Sequence, residues 1–133
     1  MTKKIDHIGI AVKDLKSSTK IFETIFNTKA SKVEVVKSEN VKIAFLEIGE
    51  SKIELIEGSE KNDLINNFIK RKGEGIHHLA IEVNNIFEET KRLKEKGFSI
   101  INSTPSEGAN GKLISFLHPK ETGGVLIEIC QKK

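Results

Sequence analysis

The chain has 133 residues, of which 37% are hydrophobic and 31% charged, with only two prolines, so collagen-like, mucin-like and low-complexity classes are excluded. A chain of this length can bury roughly two-thirds of its unfolded surface and needs no disulfide to fold. Lys and Arg number 22 against 19 Asp and Glu, and the net charge of +3 is scattered. No concentrated basic stripe marks a nucleic-acid reader.

The single cysteine, Cys130, has no internal partner, and the apolar stretches fall far short of the roughly 20 residues a bilayer span requires. Met1-Thr2-Lys3-Lys4 leads into a strand-like run without an apolar signal segment. The expectation is a cytoplasmic protein that binds neither nucleic acid nor membrane.

The first informative run is Ile5-Asp6-His7-Ile8-Gly9-Ile10-Ala11-Val12, which alternates as a strand. Ile8, Ile10 and Val12 share one face, and Ile5, His7, Gly9 and Ala11 the other. Asp14 offers a helix cap, and Leu15, Thr19, Phe22 and Phe26 follow at helical spacing. Strand-like runs come next at Lys32–Val36, Val41–Ile48 and Lys52–Glu57, with Gly49-Glu50-Ser51 as a hairpin turn. Leu64, Ile65, Phe68 and Ile69 then predict a short amphipathic helix ended by Gly73.

The text of the first half now repeats. Ile76-His77-His78-Leu79-Ala80-Ile81-Glu82-Val83 reads as a strand, Asn85 as a cap, and Ile86, Thr90 and Leu93 as a helical stripe closed by Gly97. One constant offset of 71 relates His7 to His78, Asp14 to Asn85, Leu15 to Ile86 and Phe22 to Leu93. Further strands are expected at Ser99–Asn102, Leu113–Leu117 and Val125–Ile129, with an irregular loop from Ser103 to Gly111. The prediction is one α+β domain of two duplicated βαβββ modules, about 4–58 and 75–131, joined by a helical connector over 59–74.

Two of the four histidines, His7 and His78, occupy equivalent places in the repeated strands. Gly9, Ala11 and Ala80 beside them leave room above the strand. Glu128 is the only charge in Val125–Cys130, and its counterpart in the first half is Glu54. An ionised carboxylate among apolar neighbours costs several kcal/mol unless a cation or donors compensate it. Two imidazoles and two carboxylates make a mixed nitrogen–oxygen set suited to Co²⁺, Mn²⁺, Ni²⁺ or Zn²⁺, and the lack of thiolates argues against a closed structural zinc site. Taken singly, each histidine reads as a half-buried core residue, and Glu54 as a solvent-facing strand residue. Pairing by the repeat favours a shared site. His77, on the opposite strand face, and His118, before Pro119, read as structural, and Cys130 as a small buried hydrophobe.

The repeated strands, with Gly108-Ala109-Asn110-Gly111-Lys112, Phe116-Leu117-His118-Pro119-Lys120 and Gly123-Gly124-Val125-Leu126-Ile127-Glu128, resemble the vicinal-oxygen-chelate (glyoxalase-like) superfamily. Within it the chain resembles the methylmalonyl-CoA epimerase family over about residues 4–131. The resemblance implies a curved mixed sheet around a metal cleft, usually in a homodimer. It puts His7, Glu54, His78 and Glu128 at the metal-ligand positions, with Co²⁺ first among the candidate ions. It also implies an acyl-CoA thioester substrate, inverted at its α-carbon by proton removal and return through a metal-stabilised enolate, with Glu128 as base. A second carboxylate that some members carry aligns with Lys42, which leaves the second acid/base unassigned. Lys112 and Lys120 are candidates for the CoA phosphates. The alternatives on the same modules are a glyoxalase I-type isomerase and a non-enzymatic small-molecule-binding or resistance module.

Overall fold

The computed structural model describes every residue except Met1, Ser103 and the side chain of Asp63. Its strands are β1 (Thr2–Ala11), β2 (Glu34–Val36), β3 (Val41–Ile48), β4 (Ser51–Gly58), β5 (Gly75–Val83), β6 (Ser106–Glu107), β7 (Leu113–Leu117) and β8 (Ile127–Gln131). The helices are α1 (Leu15–Phe26) after β1, α2 (Asp63–Lys72) after β4 and α3 (Ile86–Glu95) after β5. The strands form a mixed sheet in the order β2-β3-β4-β1-β5-β8-β7-β6. Among the described residues no helix is long and apolar enough to cross a membrane.

Two compact units divide the chain, one from Ile8 to His77 and one joining the chain up to His7 to His78–Lys133. In the first, β2, β3 and β4 form an antiparallel meander. Ile48 pairs with Ser51, so the hairpin turn is the two residues Gly49 and Glu50, with Gly49 at φ +60°. The register sets Ala44 against Leu55 and Leu46 against Ile53, and that face carries the core with Val12, Leu15 and Phe22. The alternate positions, Phe45 opposite Glu54 and Ile43 opposite Ile56, lie on the other face.

Asp14 does not cap α1 through its side chain. Its carboxylate accepts from the Ser17 hydroxyl, and the Leu15 N–H donates instead to Glu57 Oε1 at 2.8 Å. In α2, Ile65 is buried but Leu64 is 79% exposed, so the apolar stripe is narrower than its spacing predicts. Asn62 caps that helix by accepting from the Ile65 N–H at 2.7 Å.

In the second unit, β5 runs parallel to β8, and β7 joins β8 and β6 antiparallel. Val83, Ile86, Leu117 and Ile129 form its core, with Ile81, Leu93, Phe98, Ile100, Leu113 and Ile127 packed around them. Asn85 caps α3 by accepting from the N–H groups of Phe87 and Glu88, as its sequence predicts. Gly97, at φ +95°, ends the helix, with the Phe98 N–H returning to the Leu93 carbonyl.

Three expected boundaries move in this unit. Ser99–Asn102 is not a strand and contributes only the bridge Ile100–Leu117. The second strand of the module is instead β6, inside the segment read as an irregular loop; Ser103 lies outside the described residues. β8 begins at Ile127 and not at Val125, because Gly123 and Gly124 at positive φ and the turn closing on Thr122 hold Val125 out of the ladder. The βαβββ order of each repeat survives these shifts.

Candidate metal centre

The β5–β8 register places Ala80 beside Glu128 and Glu82 beside Cys130, and strand alternation puts His78 on that same face. Ala80 has no bulk to separate His78 from Glu128. β1 brings His7 to the same place. The Nε2 atoms of His7 and His78 lie 3.0 Å apart, with the rings edge to face. Glu128 reaches both, its Oε2 3.7 Å from His7 Nε2 and its Oε1 3.6 Å from His78 Nε2. All three side chains are buried, at 5% exposure for each histidine and 7% for Glu128.

This donor set fits a divalent ion. The two Nε2 atoms, 3.0 Å apart, and the Glu128 carboxylate beside both would hold it. Two imidazole nitrogens and one carboxylate suit the borderline ions Co²⁺, Ni²⁺ and Zn²⁺. Glu54 sits in the middle of β4 opposite Phe45 and is buried at 6%, so the solvent-facing reading of that residue is overturned. Its ordinary strand alternation was legible; that both faces of β4 are covered over Glu54, Leu55 and Ile56 was not.

Behind His7 stands a group that strand patterning did not single out. Asp6 Oδ2 accepts from His7 Nδ1 at 2.7 Å, and its Oδ1 accepts from Lys112 Nζ at 2.7 Å. Burial pushes the Asp6 carboxyl up, but the hydrogen bonds from His7 and Lys112 outweigh it and hold the group well below the usual carboxylate range. One signal was available: Asp6 is the only acidic residue in a strand that otherwise carries no carboxylate.

Lys112 is itself buried and committed to Asp6, so it is not a solvent-facing grip for phosphate. Lys120 is exposed. Lys42, where the second acid/base would align, is an exposed cation 3.8 Å from Glu57. His118 accepts from the Lys120 N–H as the cap of a Pro119–Glu121 turn, and His77 packs edge-on against Phe68, both as structural residues. Burial, with Asp6 and Glu128 nearby, pushes the Cys130 thiol up to about 12, which makes it a poor nucleophile.

Residues 6–116 match the Glyoxalase/Bleomycin resistance protein/Dioxygenase superfamily, and the chain belongs to that superfamily. Among curated relatives, the uncharacterized protein YqjC of Bacillus subtilis is 37% identical over 98% of this chain and 93% of its own. The mitochondrial methylmalonyl-CoA epimerase of Homo sapiens is 34% identical over 96% of this chain and 73% of its own. Among solved structures, the hypothetical protein BH1468 of Bacillus halodurans superposes with a TM-score of 0.93 and 49% identity, covering 98% of this chain and 94% of that one. A variant of the Streptomyces coelicolor methylmalonyl-CoA epimerase, in complex with 2-nitronate-propionyl-CoA, gives a TM-score of 0.94 at 29% identity, covering 99% and 96%.

Proposed function

We propose that this protein is a divalent-metal-dependent epimerase that inverts the α-carbon of methylmalonyl-CoA. The observation that carries the reading is the buried convergence of His7 Nε2, His78 Nε2 and the Glu128 carboxylate. Its support from kinship is that relatives named methylmalonyl-CoA epimerase match nearly the whole chain.

His7, His78 and Glu128 would hold the ion, with Glu54 as fourth ligand. Glu54 is buried on β4 and is the repeat's counterpart of Glu128. When bound, a divalent ion supplies Lewis-acid stabilisation of the charge that develops on the thioester oxygen. Glu128 accepts the α-proton on one face, and a solvent-derived proton delivered to the opposite face completes the inversion, this second acid/base being unassigned to a residue. Burial of the Glu128 carboxylate excludes competing water and strengthens every electrostatic contact around it. Ala80 beside it leaves space for the acyl group, and no nucleophile is required. Exposed Lys120 would meet the CoA phosphates. In this reading the ion is Co²⁺, with Mn²⁺, Ni²⁺ or Zn²⁺ as substitutes, and the enzyme works as a cytoplasmic homodimer, as the family resemblance implies.

The test is to incubate one stereoisomer of methylmalonyl-CoA with the Co²⁺-loaded protein in D₂O, with and without a chelator. Deuterium at the α-carbon and loss of optical purity are expected, both abolished by the chelator. Recovery of the starting isomer without deuterium would overturn the proposal, and turnover of a glutathione hemithioacetal in its place would assign a glyoxalase I-type reaction.

A further inference from the structure

His7 and His78 come from repeated text, but the repeat breaks at the residue before each. Asp6 precedes His7, and His77 precedes His78. His77 packs on Phe68, whereas Asp6 is buried at 2% exposure and spends both carboxylate oxygens on named partners. The two partners are His7, next in sequence, and Lys112, 106 residues away. An ion pair buried this deeply is weak evidence for stability, because desolvation of two charges offsets their attraction. What distinguishes this one is its third member, the imidazole.

We infer that Asp6, anchored by Lys112, is the positioning residue of His7, holding the imidazole proton on Nδ1 so that Nε2 keeps its lone pair for a divalent cation. An ionised carboxylate only accepts, so the hydrogen in the 2.7 Å Asp6–His7 contact belongs to Nδ1. A neutral imidazole protonated there has a bare Nε2, and that atom faces His78 Nε2 and Glu128. Lys112 does two things for this arrangement. Its ammonium keeps Asp6 an acceptor, and its 2.7 Å bond to Oδ1 fixes the carboxylate plane that aims Oδ2 at the ring. Lys112 therefore reaches the centre through two other residues and touches no ligand atom itself. Outer partners of this kind orient a histidine ligand and raise its basicity. The inference deepens the metal centre proposed above and rests on it for the purpose of the lone pair, but the tautomer can be read without any metal.

The experiment uses the full chain with ¹⁵N-labelled histidine. Long-range ¹H–¹⁵N correlation spectra of the metal-free protein, at mildly alkaline pH, distinguish the Nδ1–H from the Nε2–H tautomer of His7. Co²⁺ affinity is measured in parallel by equilibrium dialysis. Asp6→Leu alone leaves Lys112 buried without its counter-ion and can fail to fold, so the decisive variant is the double substitution Asp6→Leu with Lys112→Met, which removes both charges and the acceptor of the Nδ1 proton. The parent should show the Nδ1–H tautomer. The double variant should shift His7 toward Nε2–H and bind Co²⁺ tenfold to a hundredfold more weakly. A parent with the His7 proton on Nε2 overturns the inference. So does a double variant that keeps both the parent tautomer and a Co²⁺ affinity within twofold. A parent that binds no Co²⁺ at all overturns the metal centre instead, and the tautomer then decides alone whether Asp6 positions His7.

Discussion

His7 and His78 meet Nε2 to Nε2 at 3.0 Å although 71 residues separate them, the same interval that relates their two strands in the repeat. Neither ring belongs to the apolar cluster at the core of either unit. His7→Ala and His78→Ala should therefore each lose Co²⁺ while keeping the parent's circular dichroism and a cooperative melt. Equilibrium dialysis showing parent-like Co²⁺ binding in both variants would remove the histidines from the centre.

Glu54→Gln should retain bound metal and measurable epimerisation. Glu54 is as buried as Glu128, so exposure does not distinguish the two carboxylates. A Gln side chain keeps one carbonyl oxygen in the same place, and in the proposed reading Glu54 moves no proton. Metal analysis and a stereochemical assay check this together; loss of both would show that the negative charge is required.

Glu128→Gln separates ligation from proton transfer. The amide keeps the size and one oxygen but no longer serves as a base, so metal content should remain substantial. Exchange of the α-proton of methylmalonyl-CoA should fall by about 10², the contribution of a positioned general base. Exchange near the parent rate would make Glu128 a ligand only.

Cys130 should be inert to Ellman's reagent in the folded protein and react on unfolding, because it is fully buried. Its thiol is pushed up to about 12 in the fold, above the ordinary thiol range near 8.5. The folded state then holds its proton more tightly than the unfolded state does. The resulting stabilisation is complete below the ordinary thiol range and is lost as pH rises toward about 12. Between those limits the stability of Cys130→Ala should fall less steeply with pH than that of the parent, read from denaturant midpoints.

Leu55 lies in an apolar strand and Leu64 in the apolar stripe expected of α2, yet the first is fully buried and the second lies open to water. Leu55→Ala should cost about 2–5 kcal/mol through the cavity it leaves against Ala44, Leu46 and Val12. Leu64→Ala should change stability by no more than about 0.5 kcal/mol. Chemical denaturation of the two variants measures the contrast.

The sequence by itself determined the repeat, the three helices, both histidine-bearing strands and the face on which each histidine points. Those features are local: a strand alternates with period two and a helix with 3.6, whatever surrounds them. The pairing of His7 with His78 was legible for the same reason, since equal places in repeated strands present equal faces. Only the tertiary structure decided what depth each face has and which distant residue meets it. Glu54 alternates like a solvent-facing residue but is buried, and Leu64 keeps helical spacing but is not. The start of β8 was decided by two glycines at positive φ, and the second strand of the second repeat by a two-residue pairing too short to leave a pattern. Asp6 and Lys112 show the limit most clearly, because a contact across 106 residues is set by how strands close on one another, and no periodicity along the chain encodes that closure.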